Sequence, residues 1–280
     1  MAGAIDHSTD RLLALIAQAP DLALSQVVRK TEFGSSSGNY GVSHSIHAAT
    51  ACHAAARHLG WSAGAQRRAF QAALTMNISM IDLQARLATQ ASPLTAKQRE
   101  AINDHPTRSW EMLGKAGIND EDWLAAVLHH HEVADGSGYP RGSTTVGELA
   151  ELLRFADIYT ARMSSRANRL AISARQSGRE LHQMAGDSPL ASALIKSFGI
   201  FPPGSLVKLA SGELGIVTRN GDKAYHPLVA ALTDATGVPR LAPLMRDTAC
   251  RERAVIALVS EQAMPMRLTD ELIADLISGE

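Results

Sequence analysis

The chain has 280 residues, 45% of them hydrophobic and 20% charged, and a formal net charge of -1. That length buries a substantial core in one or two domains, and the composition is that of a soluble globular protein rather than a disordered one. With no basic block or stripe and no apolar run of spanning length, the chain has no electrostatic footprint for nucleic acid and no segment for membrane insertion.

Residues 1–39 read as an N-terminal helical segment followed by a linker. Met1-Ala2-Gly3-Ala4-Ile5-Asp6-His7 lacks the basic region and apolar core of a secretory signal. A short first helix is expected over Leu12, Leu13, Leu15 and Ile16 after a cap at Ser8 or Asp10, and Gly34-Ser35-Ser36-Ser37-Gly38-Asn39 has the composition of a flexible connection. A mainly α domain is expected over 40–200. Its first helix, from His44 to Leu59, is alanine-rich and closes at Gly60; a second starts after Ser62 and should pack on it. Cys52 and Cys250 form no CxxC pair, so neither a disulfide framework nor a zinc ribbon is indicated, and a reducing, cytoplasmic location is expected.

Thr95-Ala96-Lys97-Gln98 is a capping box, and His105-Pro106 reads as a junction where one helix ends and the next begins on proline. Acidic residues at 119–122 precede Trp123, Leu124, Val127 and Leu128, which places the histidine triplet 129–131 on that helix's last turn. Thr145-Val146-Gly147-Glu148 predicts a second capping box, opening a helix through Leu152, Phe155, Ile158 and Ala161 that contains Asp157. Ser188-Pro189 and Gly199 bracket another. From Phe201-Pro202-Pro203-Gly204 the pattern changes. Alternation at Leu206, Lys208 and Ala210, turns at Ser211-Gly212 and Asn220-Gly221, and runs at Ile216-Val217 and Leu228–Leu232 predict a small β subdomain over 201–280. An amphipathic helix from Thr269 to Ile277 should close it.

The stretch His129-His130-His131-Glu132-Val133-Ala134-Asp135-Gly136-Ser137-Gly138-Tyr139-Pro140 joins candidate metal ligands directly to a glycine-rich, proline-closed loop. Neutral imidazole is the commonest side-chain ligand for transition metals, and consecutive histidines at a helix end can offer two ring nitrogens to one cavity. The same residues have an ordinary reading. Histidines near a helix C-terminus meet its partial negative charge favourably, and Asp-Gly-Ser-Gly is common turn composition. His44 on an alanine-rich helix, or Asp157 near Arg154, is by itself a packing residue or a surface charge.

Their order carries a resemblance. His44, His105-Pro106, His130-His131-Glu132, Asp135-Gly136-Ser137-Gly138-Tyr139-Pro140 and Ala156-Asp157 follow one another on a helical frame, and over residues 40–200 the chain resembles the HD-GYP family of HD-domain metallophosphohydrolases. Residues 202–232 are similar to the small β region that often follows that domain. The resemblance implies an HD-domain-like helical bundle with a small C-terminal β subdomain, and a metal centre drawn from His44, His105, His130, His131 and Asp157. Active members of the family hydrolyse cyclic di-GMP with two or three metals. The resemblance also implies a binding role for Asp135, Gly136, Gly138, Tyr139 and Pro140, whose loop lines the family's site and is linked to interaction with diguanylate cyclase (GGDEF-type) domains. Arg166 matches the leading arginine of a family Arg-Pro-Tyr-Arg segment, here Arg166-Ala167-Asn168-Arg169, and is either a phosphate contact or an exposed structural arginine.

The departures bear on function. The family's His-Asp pair stands in an Ala-Ala-Leu-Leu-His-Asp-Ile-Gly-Lys context, whereas this chain reads Ala72-Ala73-Leu74-Thr75-Met76-Asn77-Ile78-Ser79-Met80. Met76 and Asn77 take the places of the pair, Met80 that of the lysine, and the extra glutamate of three-metal members falls near Tyr40. A carboxylate can bridge two metals through two charged oxygens; Asn77 has one neutral carbonyl oxygen, and Met76 only a thioether. By resemblance, one metal keeps only His44 and Asp157, while the second keeps His105, His130 and His131. The expected cofactor is therefore one divalent transition metal (Fe, Mn or Zn) at the three imidazoles rather than a two-metal centre.

Phosphodiester hydrolysis in such sites uses paired metals on the attacking and leaving oxygens, so no residue is assigned a catalytic role. The expected function is that of a degenerate HD-GYP protein in bacterial signalling, which binds cyclic di-GMP or a related cyclic dinucleotide or docks on a partner. A slow metal-dependent phosphodiesterase and a purely structural interaction module remain open alternatives. His47, His53, His58 and His129 read as packing or surface residues, Thr160 and Ser164 lack a Ser/His/Asp arrangement, and Gly212-x-x-Gly215 is turn chemistry.

Overall fold

The computed structural model describes residues 1–32, 40–167 and 169–279; the connection expected over 34–39 and Asn168 lie outside them. Two compact units are formed, one from Met1–Ala14 and Lys30–Ser197, the other from Leu15–Arg29 and Phe198–Glu280.

The first unit is helical. It contains α1 (Ala2–Gln18) as far as Ala14, then α3 (Tyr40–His58), α4 (Ala63–Thr75), a single 3-10 turn (Ile78–Met80), α5 (Ile81–Thr89), α6 (Ala96–Lys115), α7 (Glu121–His129), α8 (Glu148–Met163), α9 (Ala174–Ala185) and α10 (Pro189–Phe198). Side chains that accept the first free backbone N–H groups set the starts: Ser62 for α4, Thr95 with Gln98 for α6, Asp120 for α7 and Ser173 for α9. α3 packs against α4, α5 and α8. Its buried face, Ala48, Ala49, Ala51, Cys52, Ala55 and Ala56, is almost all alanine, so the neighbouring backbones come close, and Phe70, Leu152, Leu153, Phe155 and Tyr159 fill the remaining volume. At Gly41 a Cβ would lie 2.6 Å from the Ile81 carbonyl oxygen; only glycine lets the start of α3 meet α5.

Three local expectations are corrected here. α1 begins at Ala2, so Ser8 and Asp10 lie inside it rather than at its cap. Asp6 and Asp10, one turn apart, both engage the Arg67 guanidinium, and Ile5 and Thr9 are buried, so the polar residues serve one face of a longer helix. α6 runs unbroken through Pro106. The N-cap of α8 is Gly147, with no side-chain bond, so Thr145 forms no capping box; its carbonyl instead accepts from the Ser143 hydroxyl.

The second unit contains α2 (Pro20–Glu32) as far as Arg29, strands β1 (Leu206–Leu209), β2 (Leu214–Arg219), β3 (Leu228–Thr233), β4 (Pro239–Asp247) and β5 (Val255–Leu258), and α11 (Asp270–Ser278). The sheet has the order β4-β3-β2-β1-β5 and is antiparallel throughout. Side chains alternate between its faces. Leu206, Ile216 and Ala230 join Ile273 and Ile277 of α11 in one cluster, with Leu22 of α2 against it; Val207, Val217 and Val229 join Phe201 and Leu209 in the other. Sequence patterning reaches β1, β2, β3 and α11 but not the outer strands. β4 is exposed along most of its length and carries Pro239 and Pro243, and β5 is four residues, all apolar, so its alternating burial leaves no polar-apolar alternation in the sequence.

Candidate metal centre

His105 sits in the middle of α6, immediately before Pro106. Proline has no N–H for the carbonyl four residues back, which is that of Ile102. The His105 ring takes the vacant place: its Nδ1 lies 2.5 Å from the Ile102 oxygen. A carbonyl only accepts, so Nδ1 carries the hydrogen. His130, the C-cap of α7, does the same with the Val127 carbonyl, 2.7 Å from its own Nδ1. Both rings are buried, and both Nε2 atoms are thereby left as bare lone pairs.

These two Nε2 atoms face each other across 3.1 Å. Burial first and a neighbouring histidine second lower the imidazolium pKa of His105 to about 4 and that of His130 to about 3, so the rings are neutral at physiological pH. Two lone pairs at that separation repel unless a cation receives both. Nitrogens bound 2.0–2.1 Å from one tetrahedral metal lie about 3.3 Å apart, so the pair is spaced as one ion would hold it. His131 completes the set: the ligand atoms of His105, His130 and His131 all lie within 4.8 Å of one another. Its pKa also falls to about 3, chiefly through burial. The donor set fits one borderline transition metal bound by three neutral imidazoles.

His44 and Asp157 form a separate pair. His44 Nε2 lies 2.7 Å from Asp157 Oδ1. Burial alone would raise the Asp157 carboxyl, but its bond to His44 and the nearby imidazoles hold it well below the usual carboxylate range. Its charge acts in turn on His105, His130 and His131, so the five residues form one electrostatic neighbourhood. His44 Nδ1 is buried with no hydrogen-bond partner among the described residues.

A tyrosine stacks on one imidazole from each group. Tyr40, one turn before His44 on α3, lies nearly parallel to it, with centroids 5.8 Å apart and an interplanar angle of 10°. Arg166 donates to the Tyr40 hydroxyl through Nε (2.9 Å) and Nη2 (2.6 Å) and lies 5.0 Å from the ring centre. Arg166, for which the sequence left a phosphate contact or an exposed structural role open, thus holds a tyrosine beside the His44–Asp157 pair. On the other side Tyr139 stacks on His131 at 4.5 Å and 21°.

The loop from Glu132 to Ser143 is tied to its own start. Asp135 accepts the Ser137 N–H, a local turn bond, and Gly136 has φ +78. At Gly138 a Cβ would fall 2.5 Å from the His131 carbonyl oxygen, Glu132 Cα and Val133 N, so the chain can double back there only without a side chain. Pro140 follows in a cis Tyr139-Pro140 peptide. Met76 and Asn77 end α4 and begin the 3-10 turn that packs on α6, where the Ser79 hydroxyl donates to the His105 carbonyl. Both are 0% exposed, and neither carboxamide atom of Asn77 has a hydrogen-bond partner among the described residues. A buried amide left unpaired costs about 1–3 kcal/mol.

A model of the HD domain matches residues 14–190, more than half of the chain. This chain belongs to the HD domain family. A relative from Pseudomonas aeruginosa, named as a cyclic di-GMP phosphodiesterase, is 30% identical over 245 residues; the match covers 84% of this chain and 58% of the relative. The chain therefore spans less than two thirds of that protein's length. Among solved structures, a protein from Bdellovibrio bacteriovorus described as HDG"Y"P matches with 15% identity and a TM-score of 0.46, covering 55% of this chain and 51% of its own. The HD domain of the L. monocytogenes phosphodiesterase PgpH matches with 13% identity and a TM-score of 0.42, covering 62% and 95%.

Two residues of this HD domain centre were not singled out from sequence. Glu132 was read only as part of the motif, yet its carboxylate is 1% exposed and accepts two loop amides. Tyr40 was noted only for what it replaces, yet it carries the Arg166 contact. A carboxylate directly following two candidate ligand histidines is a usable signal for the first; nothing local foretells a partner 126 residues away for the second.

Proposed function

We propose that this HD domain is a degenerate HD-GYP-type protein of bacterial cyclic di-GMP signalling, acting in the cytoplasm. It binds cyclic di-GMP or a related cyclic dinucleotide, or docks a diguanylate cyclase (GGDEF-type) domain, through the Asp135–Pro140 loop, and hydrolyses poorly. The observation that supports this reading is the convergence of three neutral imidazoles at His105, His130 and His131 beside a buried Met76-Asn77 pair that, by the resemblance, takes the places of the family's His-Asp pair.

One divalent transition metal, Fe, Mn or Zn, bound at the three imidazoles would polarise a phosphoryl oxygen and acidify a bound water. The chain's own residues hold the donors in place. The Ile102 and Val127 carbonyls fix the tautomers of His105 and His130, and ionised Asp157 keeps negative charge beside a cationic site. The name of the Pseudomonas relative supports the ligand class. A slow phosphodiesterase activity is the second reading, favoured by the complete imidazole trio.

Titration calorimetry with cyclic di-GMP and pull-down of cyclase domains test the leading reading; binding to neither removes it. Linearisation of cyclic di-GMP by protein loaded with Fe²⁺, Mn²⁺ or Zn²⁺, abolished by His130→Ala, would establish the second.

A further inference from the structure

His131 lies beyond the last residue of α7 and is the half-buried member of the trio, so helix backbone does not fix its ring. Its constraints come from chain that returns eight residues later. The Tyr139 N–H donates to the His131 carbonyl at 3.2 Å, and the Tyr139 ring covers the imidazole at 4.5 Å between centroids. Both contacts require the loop to be folded back and held there.

A side chain at the loop's own start, that of Glu132, holds it. Glu132 Oε1 accepts the Arg141 N–H at 2.8 Å, and Oε2 accepts the Ser143 N–H at 2.9 Å. The two amides flank Gly142 on the far limb of the loop, immediately after Tyr139-Pro140, so both oxygens are engaged where the limb must close. A carboxylate suits this place because it is acceptor-only, and a buried charge bonded to two N–H dipoles is compensated. Glutamine would keep one acceptor and turn an NH₂ donor toward the other amide.

We propose that Glu132 is a positioning residue: its carboxylate clasps the neck of the 132–143 loop and thereby presses Tyr139 onto His131, fixing that imidazole's orientation toward His105 and His130. The consequence for metal affinity rests on the proposed metal-binding reading; the clasp itself does not. A purely structural role for Glu132 would alter stability while leaving the His131 ring where it is.

The test uses the full chain and two readouts, the histidine ring signals by NMR in metal-free protein and affinity for Co²⁺ by absorption titration. In Glu132→Gln the His131 ring protons should lose the upfield shift that a stacked tyrosine produces, with His130 signals retained and His105, edge-on to Tyr139 at 6.3 Å, shifted less. Co²⁺ affinity should fall about 10–100-fold, as for loss of an outer partner of a metal ligand. Tyr139→Phe keeps the ring and should preserve both readouts; Tyr139→Leu should reproduce both losses. Where Glu132→Gln does not fold by circular dichroism, the Phe and Leu variants decide. Unmoved His131 signals in folded Glu132→Gln, or in Tyr139→Leu, overturn the proposal. Should the unmodified chain take up no Co²⁺ while the His131 signals still move, the metal reading fails and the clasp stands.

Discussion

The ring of His105 occupies the hydrogen-bonding place that Pro106 vacates at the Ile102 carbonyl. The proline inside α6 is therefore linked to the chemistry of its neighbour: it frees the acceptor that holds His105 in one tautomer, with Nε2 bare toward His130. Pro106→Ala restores an N–H that competes for this carbonyl. Interior proline costs a helix about 3 kcal/mol, so we expect the variant to be as stable as the native chain or up to that much more stable, while metal affinity drops about tenfold. Urea unfolding and Co²⁺ titration give the two numbers; a gain in stability with unchanged affinity would remove the link.

The buried imidazoles make stability depend on pH. An unfolded histidine has a pKa of about 6.5, whereas folded His105 titrates near 4 and His130 and His131 near 3. Between these limits the unfolded chain binds protons that the folded chain refuses, so stability is complete above pH ~6.5 and falls as pH falls through the window. Each proton of difference contributes about 1.4 kcal/mol per pH unit. Asp157, with its pKa held low, adds a loss of the same sign only below its ordinary 3.8. Urea midpoints at pH 8, 6 and 5 should decline in that order, and alanine at His130 should flatten the decline. A midpoint that does not change across this range would contradict neutral burial.

Replacing Met76→His and Asn77→Asp together tests the proposal that these positions once completed the centre. Without metal, the new carboxylate lies at a fully buried position where the present amide has no partner among the described residues, and an unpaired buried charge costs several kcal/mol. The metal-free double variant should be less stable than the native chain by about 2 kcal/mol or more and should regain this on Mn²⁺ or Fe²⁺ addition, with more metal bound per chain. Metal analysis and thermal unfolding with and without metal check this. Lost stability that no metal restores would mean that these positions do not serve the centre.

In the second unit, Glu213 is 2% exposed and receives Arg240, Arg246 and the Ser211 hydroxyl, tying β2 to β4. The Arg246 bond, ahead of the others, holds its carboxyl below the ordinary range. Glu213→Ala should cost about 2–4 kcal/mol, because two partly buried guanidinium groups lose their counter-ion. Chemical denaturation measures the loss. Arg240→Ala alone should cost less, since Arg246 remains in place.

Much of this chain is legible before any coordinates. Capping residues mark the starts of α4, α6 and α7, alanine richness marks α3 as a helix, and alternation, turns and apolar runs mark the inner strands, because each of these is decided within a few residues. The ordered histidines and the glycine loop likewise gave the ligand candidates and the family. Local signals misled where a distant partner decided the outcome. Pro106 read as a break until the His105 ring was seen on the Ile102 carbonyl, and Asp10 read as a cap until Arg67 was seen to hold it.

Sequence by itself supplied the candidate donors, imidazoles at 105, 130 and 131 and a carboxylate at 157, and an amide at 77, since these are matters of side-chain identity. Only the tertiary structure decided which donors share a space, which ring nitrogens are bare, and that Arg166 is turned to Tyr40. Those outcomes depend on burial and on backbone carbonyls brought into reach by packing, and no short window of residues contains them.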